Sequence, residues 1–243
     1  MTTGKNARPF AVFDIDGTLL RWQLYHALAD ELVKNGLFDQ KAYRAIRQAR
    51  LTWKERAHAD SYSDYEAALV KYFEQSVIGL PASMFNLAVG AVIDVYKDQV
   101  YTYTRGLIRD LKNRNYLLFA ISASQDQIVQ LLAERYGFDA AIGSEYEIVD
   151  GKFTGERKIM RGEAKIKALE KLANKHGASS KNSIGVGDSE SDIPMLEFVD
   201  QPIAFNPTSS LFEHAKQKSW AVVLERKNQV YKMELSRGKY QVK

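Results

Sequence analysis

Asp14 and Asp16 stand two residues apart, directly after the apolar run Phe10-Ala11-Val12-Phe13 and before Gly17-Thr18. The run reads as a buried strand that ends in an acidic turn. In an open parallel α/β sheet the carboxyl ends of the strands line the ligand crevice, so both carboxylates would emerge where ligands bind. An ordinary acidic β-turn is the alternative reading, because Asp and Gly are common turn residues. Three further positions add chemistry. Ser122 closes a second apolar run, Tyr116 to Ile121, and brings a hydroxyl and backbone amides together at a helix start, a place that favours an anion such as phosphate. Lys165 falls in the first turn of a helix, where the dipole does not favour a cation. Asp188 follows the strand Ser183-Ile184-Gly185-Val186, with Asp192 one turn further on.

Gathering Asp14, Asp188 and Asp192 at neighbouring strand ends is costly without compensation. Two unit charges about 4 Å apart repel by about 4 kcal/mol at an effective dielectric near 20. A bound cation removes the difficulty. Oxygen ligands without His or Cys point to Mg²⁺, which takes one or two carboxylates, waters and substrate phosphate. The chain has no cysteine, and its four histidines, His26, His58, His176 and His214, lack metal-ligand spacing. Disulfides, thiolate chemistry and a zinc site are therefore not expected.

The elements that must position these groups can be read in outline. After the first strand, helical spacing dominates through Tyr96. Leu24, Leu28 and Leu32 mark one helix, residues 39–57 a second, and Ser63 to Glu66 a capping box that opens a third through Phe73. Pro81 begins a fourth. Alternation then returns: a helix from Thr104 to Lys112, the strand ending at Ser122, and a capping box Ser124 to Gln127 opening a helix to Tyr136. A hairpin turns about Asp150-Gly151. The helix from Gly162 and strands near Ser183, Ile203 and Trp220 complete the pattern. The expectation is a three-layer α/β/α core with a doubly wound parallel sheet, residues 1–20 and 104–225, and an inserted helical cap, 21–103. The cap leaves the chain just after the acidic strand end, so it is also a lid candidate.

Composition sets the remaining bounds. With 243 residues, 45% hydrophobic and 26% charged, the chain reads as soluble and globular. No apolar run approaches the ~20 residues of a membrane span. The start, Met1 to Pro9, lacks the apolar core of a signal peptide, so a cytoplasmic location is the expectation. The net charge is +4, and much of the excess lies in residues 226–243, where Arg226, Lys227, Lys232, Arg237, Lys239 and Lys243 face one acid, Glu234. That tail reads as a solvated end; contact with nucleic acid or an anionic membrane is its alternative use.

The order of the motifs, Asp14-Ile15-Asp16-Gly17-Thr18, Ser122, Lys165 and Gly187-Asp188-Ser189-Glu190-Ser191-Asp192, resembles the haloacid dehalogenase-like superfamily over almost the whole chain. The helical insertion and Gly162-Glu163-Ala164-Lys165 look like its phosphoserine phosphatase branch. The resemblance implies an Mg²⁺-dependent phosphatase that acts on a small organic phosphate monoester through an aspartyl-phosphate. Asp14 would be the nucleophile and Asp16 the acid and base. Asp14, Asp188 and the Asp16 backbone carbonyl would hold the metal, with Asp192 at or behind it, and Ser122 and Lys165 would bind the phosphoryl oxygens. Thr18 would fix the acidic turn. Phosphoserine phosphatases carry a glutamate where this chain has Gln23, and two glycines where it has Ala123 and Ser124. Relatives linked to phospholipid or other small phosphate esters are therefore an alternative for the substrate. Gln23 and Arg56, with Trp22, Arg50, Trp53, Tyr62 and Tyr65, are the candidate substrate contacts. A dehalogenase is disfavoured because Asp16 supplies the acid that ester cleavage uses. A binding protein that works through the basic tail is the alternative of another class.

Overall fold

The computed structural model describes residues 7–236 and 238–242. Met1, Arg237 and Lys243, named above for the start and the tail, lie outside them. The first elements are β1 (Pro9–Phe13), α1 (Leu24–Lys34), α2 (Gln40–Lys54), α3 (Ser61–Val77), α4 (Ala82–Tyr96), α5 (Thr102–Asn113), β2 (Leu117–Gln125) and α6 (Asp126–Tyr136). They are followed by β3 (Ala140–Val149), β4 (Lys152–Lys158), α7 (Glu163–Lys175) and β5 (Ser179–Gly187). A 3₁₀ turn (Glu190–Asp192) then leads to α8 (Ile193–Glu197), β6 (Gln201–Phe205), α9 (Ser209–Lys218), β7 (Ala221–Arg226), β8 (Gln229–Ser236) and β9 (Lys239–Val242).

Two compact units emerge. The first comprises residues 1–22, 96–144 and 159–243, and the second 23–95 and 145–158. In the first unit the strands run β3-β2-β1-β5-β6-β7-β8-β9, parallel through β7 and antiparallel beyond. The strand order reverses direction at β1, which is the switch point where open α/β sheets place ligands. Alternation along β1 sorts its side chains between two layers. Phe10 and Val12 pack with Phe119, Leu169, Leu172 and Met195 on the α7 side. On the other face Phe13 meets Phe138 edge-on, with ring centroids 5.8 Å apart. Near-continuous apolar character in β1 and β2 follows from this burial on both faces.

Residues 226–236 and 238–242 do not form the solvated end expected of the tail. β8 pairs antiparallel with β7, from Arg226 opposite Gln229 to Val222 opposite Met233, and β9 pairs with β8. Met233 and Tyr240 pack on the cluster around Trp220, and the Tyr240 hydroxyl donates to the Trp220 carbonyl at 2.9 Å. One apolar contact in every few residues suffices here, because the rest of an edge hairpin faces solvent.

The second unit holds the four helices α1 to α4 and also the hairpin of β3 and β4. Gly79 N–H donates to the Phe153 carbonyl (2.8 Å), Phe153 N–H to the Leu80 carbonyl (3.1 Å) and Ala82 N–H to the Gly151 carbonyl (2.8 Å). Phe153 lies edge-on to Phe85 at 5.0 Å. The unit spans other bounds than 21–103, because residues 21–22 and 96–103 belong to the first unit. Arg21 N–H bonds the Gln99 carbonyl, and Tyr101 N–H bonds the Leu19 carbonyl. Neither expected capping box starts a helix: α3 begins at Ser61, before Ser63, and Gln125 caps α6 without a side-chain bond.

Candidate active site

Register alone brings the motifs together. Phe13, the last residue of β1, lies opposite Ala120 of β2 and Val186 of β5. Asp14, Ser122 and Asp188 therefore emerge at one end of three adjacent strands, and Asp14 N–H is tied to the Val186 carbonyl at 3.0 Å. Past Asp14 the chain folds tightly: Leu19 and Leu20 N–H both donate to the Ile15 carbonyl at 2.9 Å. The Thr18 hydroxyl, buried and without a hydrogen-bond partner among the described residues, plays no part in this turn. Backbone bonds fix it instead.

Gly17 is required at its position for two reasons. Its φ is +74°, and a Cβ there would lie 2.1 Å from Asp188 Oδ2. Gly17→Ala is expected to cost ~1–2 kcal/mol from the left-handed backbone alone, and to push Asp188 aside. Thermal unfolding should show the midpoint falling by about 2–8 °C, and an unchanged midpoint would refute the requirement.

Lys165 reaches the carboxylates from α7. Buried to 1% exposure, its ammonium donates to Asp14 Oδ1 at 2.7 Å and to Asp192 Oδ1 at 2.5 Å. This double ion pair explains a lysine in a helix's first turn. The other Asp192 oxygen accepts from the N–H groups of Asp188 (3.1 Å) and Ser189 (3.0 Å) and from the Ser189 hydroxyl (3.2 Å). Asp192 is thus committed to Lys165 and to shaping the loop that carries Asp188. The Asp188 carboxylate, partly exposed, accepts no hydrogen bond among the described residues, which leaves it available to a ligand. One carboxylate oxygen from each of Asp14, Asp188 and Asp192 lies within 4.8 Å of the others.

The electrostatics follow from this crowding. Burial pushes the Asp14 carboxyl up to about 7, against the pull of Lys165 and with further upward push from Asp192 and Asp16. Burial and the Asp14 charge raise Asp188 well above the carboxylate range. Burial alone would lower Lys165, but Asp14 and Asp192 outweigh it, so the ammonium is held protonated. Lys165 supplies one positive charge to three clustered carboxylates. A hard divalent cation fits the remaining oxygen-only donor set.

Asp16 is held from β2. Ser122 Oγ donates to Asp16 Oδ2 at 3.1 Å, and Ser124 Oγ donates to the same oxygen at 2.7 Å. Ser124 joins this cluster, although the sequence pattern assigned it to a helix cap. β2 in fact continues past Ser122 to Gln125, and extended backbone returns every second side chain to one face, so Ser124 joins Ser122.

The candidate substrate contacts belong to the second unit, except Trp22. Gln23 precedes α1 and donates to the Tyr62 hydroxyl. Tyr65 is a buried core side chain, stacked on Trp53 at 5.1 Å and bonded through its hydroxyl to His26 Nδ1 at 2.9 Å. Arg50 also bonds the His26 ring. Arg56 lies exposed just past α2, with a φ of +52°.

Residues 11–197 match the haloacid dehalogenase-like hydrolase family. The phosphoserine phosphatase SerB1 of Mycobacterium tuberculosis (strain ATCC 25618 / H37Rv) is 30% identical over 220 residues, which cover 87% of this chain and 69% of that protein. Among solved structures, a protein of unknown function from Bordetella pertussis Tohama I superposes with a TM-score of 0.72 at 22% identity, covering 89% of this chain and 98% of that one. A phospho-aspartyl intermediate analogue of phosphoserine phosphatase gives 0.63 at 23% identity, covering 92% and 96%. These two structural likenesses establish the fold.

Proposed function

The chain belongs to the haloacid dehalogenase-like hydrolases, in their phosphoserine phosphatase-like branch, and from that premise we propose that it hydrolyses a small organic phosphate monoester with Mg²⁺ and an aspartyl-phosphate intermediate. The observation that carries the reading is the double ion pair of Lys165 with Asp14 and Asp192, beside an Asp188 carboxylate that accepts no hydrogen bond among the described residues. A nucleophilic carboxylate, a fixed cation and metal-ligand oxygens stand at one strand end, with a second carboxylate on two hydroxyls next to them.

In this reading Asp14 attacks phosphorus. The bond from its carboxylate oxygen to phosphorus forms as the ester bond breaks, and Asp16 gives its proton to the departing alkoxide. Asp16 then takes a proton from a water that attacks phosphorus, the bond from phosphorus to the Asp14 oxygen breaks, and inorganic phosphate leaves with the Asp14 carboxylate restored. Lys165 and Ser122 bind the phosphoryl oxygens. Asp14, Asp188 and the Asp16 carbonyl would hold Mg²⁺, with Asp192 behind them, and the metal would supply charge neutralisation at the phosphoryl group. Phosphoserine is the first substrate to test, because relatives carry that name. Gln23 and Arg56 remain the proposed substrate contacts.

Phosphate release from a panel of phosphate monoesters, with phosphoserine and a lysophospholipid phosphate included, should stop with EDTA and return with Mg²⁺. Turnover unaffected by chelation would refute the metal. A second arm follows from the raised carboxyls. Groups whose folded values lie above the unfolded ~3.9 stabilise the metal-free chain at low pH, and that contribution is lost as pH rises towards about 7. Mg²⁺ should therefore raise the unfolding temperature more at pH 8 than at pH 5.5, and an equal rise at both would count against binding by Asp14.

A further inference from the structure

We propose that Ser124 is a positioning residue, holding the Asp16 carboxylate throughout turnover while Ser122 leaves it to bind the phosphoryl group. The inference rests on the acid-base reading of Asp16 given above. Both hydroxyls now donate to the same oxygen, Asp16 Oδ2, but a hydroxyl has one proton. When Ser122 donates to a phosphoryl oxygen it must release Asp16. Ser124 makes the shorter bond, 2.7 Å against 3.1 Å, and has no assigned phosphate to serve.

The main chain around Ser124 is built to keep it there. Its own N–H donates to Ser122 Oγ at 3.1 Å, so the Ser122 hydroxyl can swing its proton from Asp16 to a ligand without losing its place. Gly143 packs against the next strand so closely that a Cβ would lie 2.8 Å from the Ser124 carbonyl oxygen and 2.6 Å from Asp126 Cα. Ser144 donates to the preceding carbonyl, Ala123 O, at 2.6 Å. Gln125 lies opposite Ser144 in the sheet register. With this backbone pinned and the side chain 1% exposed, the hydroxyl has a defined place from which to orient Asp16.

A residue that aims the general acid has a kinetic signature that a merely structural residue lacks. Esters with good leaving groups depart without a proton, whereas poor ones need it. The test is Ser124→Ala beside Asp16→Asn, assayed as kcat/KM with Mg²⁺ over substituted phenyl phosphates from p-nitrophenyl to phenyl. Ser124→Ala is expected to lower kcat/KM about tenfold for phenyl phosphate and by less than about threefold for p-nitrophenyl phosphate. Asp16→Asn should steepen the same dependence further, and both variants should unfold within a few degrees of the parent. A uniform loss across the series in Ser124→Ala, or no loss, would overturn the positioning role; a steep dependence in Asp16→Asn would in that case leave the acid-base reading standing. A flat series for Asp16→Asn would overturn both.

Discussion

Asp14→Asn is expected to abolish turnover, by on the order of 10⁴-fold or more in kcat, with the fold intact. An amide cannot form the mixed anhydride that the proposed reaction runs through, whereas it matches the carboxylate in size and still offers Lys165 an acceptor. Electrostatics add a reason for the fold to survive. Burial already pushes the Asp14 carboxyl up to about 7, so a neutral group at this place relieves crowding with Asp188 and Asp192. Lys165 keeps its 2.5 Å bond to Asp192. Stability should change by no more than about 1 kcal/mol. Rapid quenching with labelled substrate separates the possibilities. The parent should trap covalent phosphate that hydroxylamine releases, and the variant should trap none. Turnover of the variant at the parental rate would end the proposal that Asp14 is the nucleophile.

What could be read from the sequence follows from how local each signal is. Asp14, Ser122 and Asp188 each sit just past an apolar run, and a strand end is a local feature, so three separate runs could be placed at one edge without knowing the register. Lys165 betrayed itself by standing where a helix dipole disfavours a cation. Ser124 did not, because Ser-Ala-Ser-Gln has no apolar signal to extend β2, and the partner that fixes it, Ser144, lies outside that stretch. The spacing of Ser124 and Gln127 imitates a capping box, as does that of Ser63 and Glu66. Residues three apart share a helix face wherever they fall, so this spacing also occurs without a cap.

The unit boundaries were hidden for a related reason. The hairpin about Asp150-Gly151 is evident locally, but its attachment to Gly79, Leu80 and Ala82 depends on contacts some seventy residues away. β8 and β9 were obscured by charge. Lys232, Glu234 and Lys239 suggest a solvated tail, although edge strands carry such residues on their open face. Only the spacing of Met233 and Tyr240 onto Trp220 shows the hairpin's buried side.

Lys165→Met should produce the largest loss of stability of any substitution considered, about 3–5 kcal/mol, seen as a fall of roughly 6–20 °C in the unfolding midpoint. Methionine fills similar volume, so packing is not the cause. Asp14 and Asp192, exposed to 5% and 0%, lose the ammonium that bonds both. Activity should fall about 10²–10³-fold as well, because the positive charge proposed to bind the phosphoryl oxygens is gone. The deficit has a pH sign: it is greatest where the carboxylates are ionised, so the gap from the parent should narrow between pH 8 and pH 5.5. Saturating Mg²⁺ distinguishes what Lys165 and the metal each do. If the metal alone balanced the cluster, the variant would melt with the parent once Mg²⁺ is added. Asp192 directs one oxygen at Lys165 and the other at the Asp188–Ser189 backbone, so it has no replacement for the lost ammonium. Most of the deficit should therefore persist in Mg²⁺, and its disappearance would show Lys165 to be dispensable to the fold.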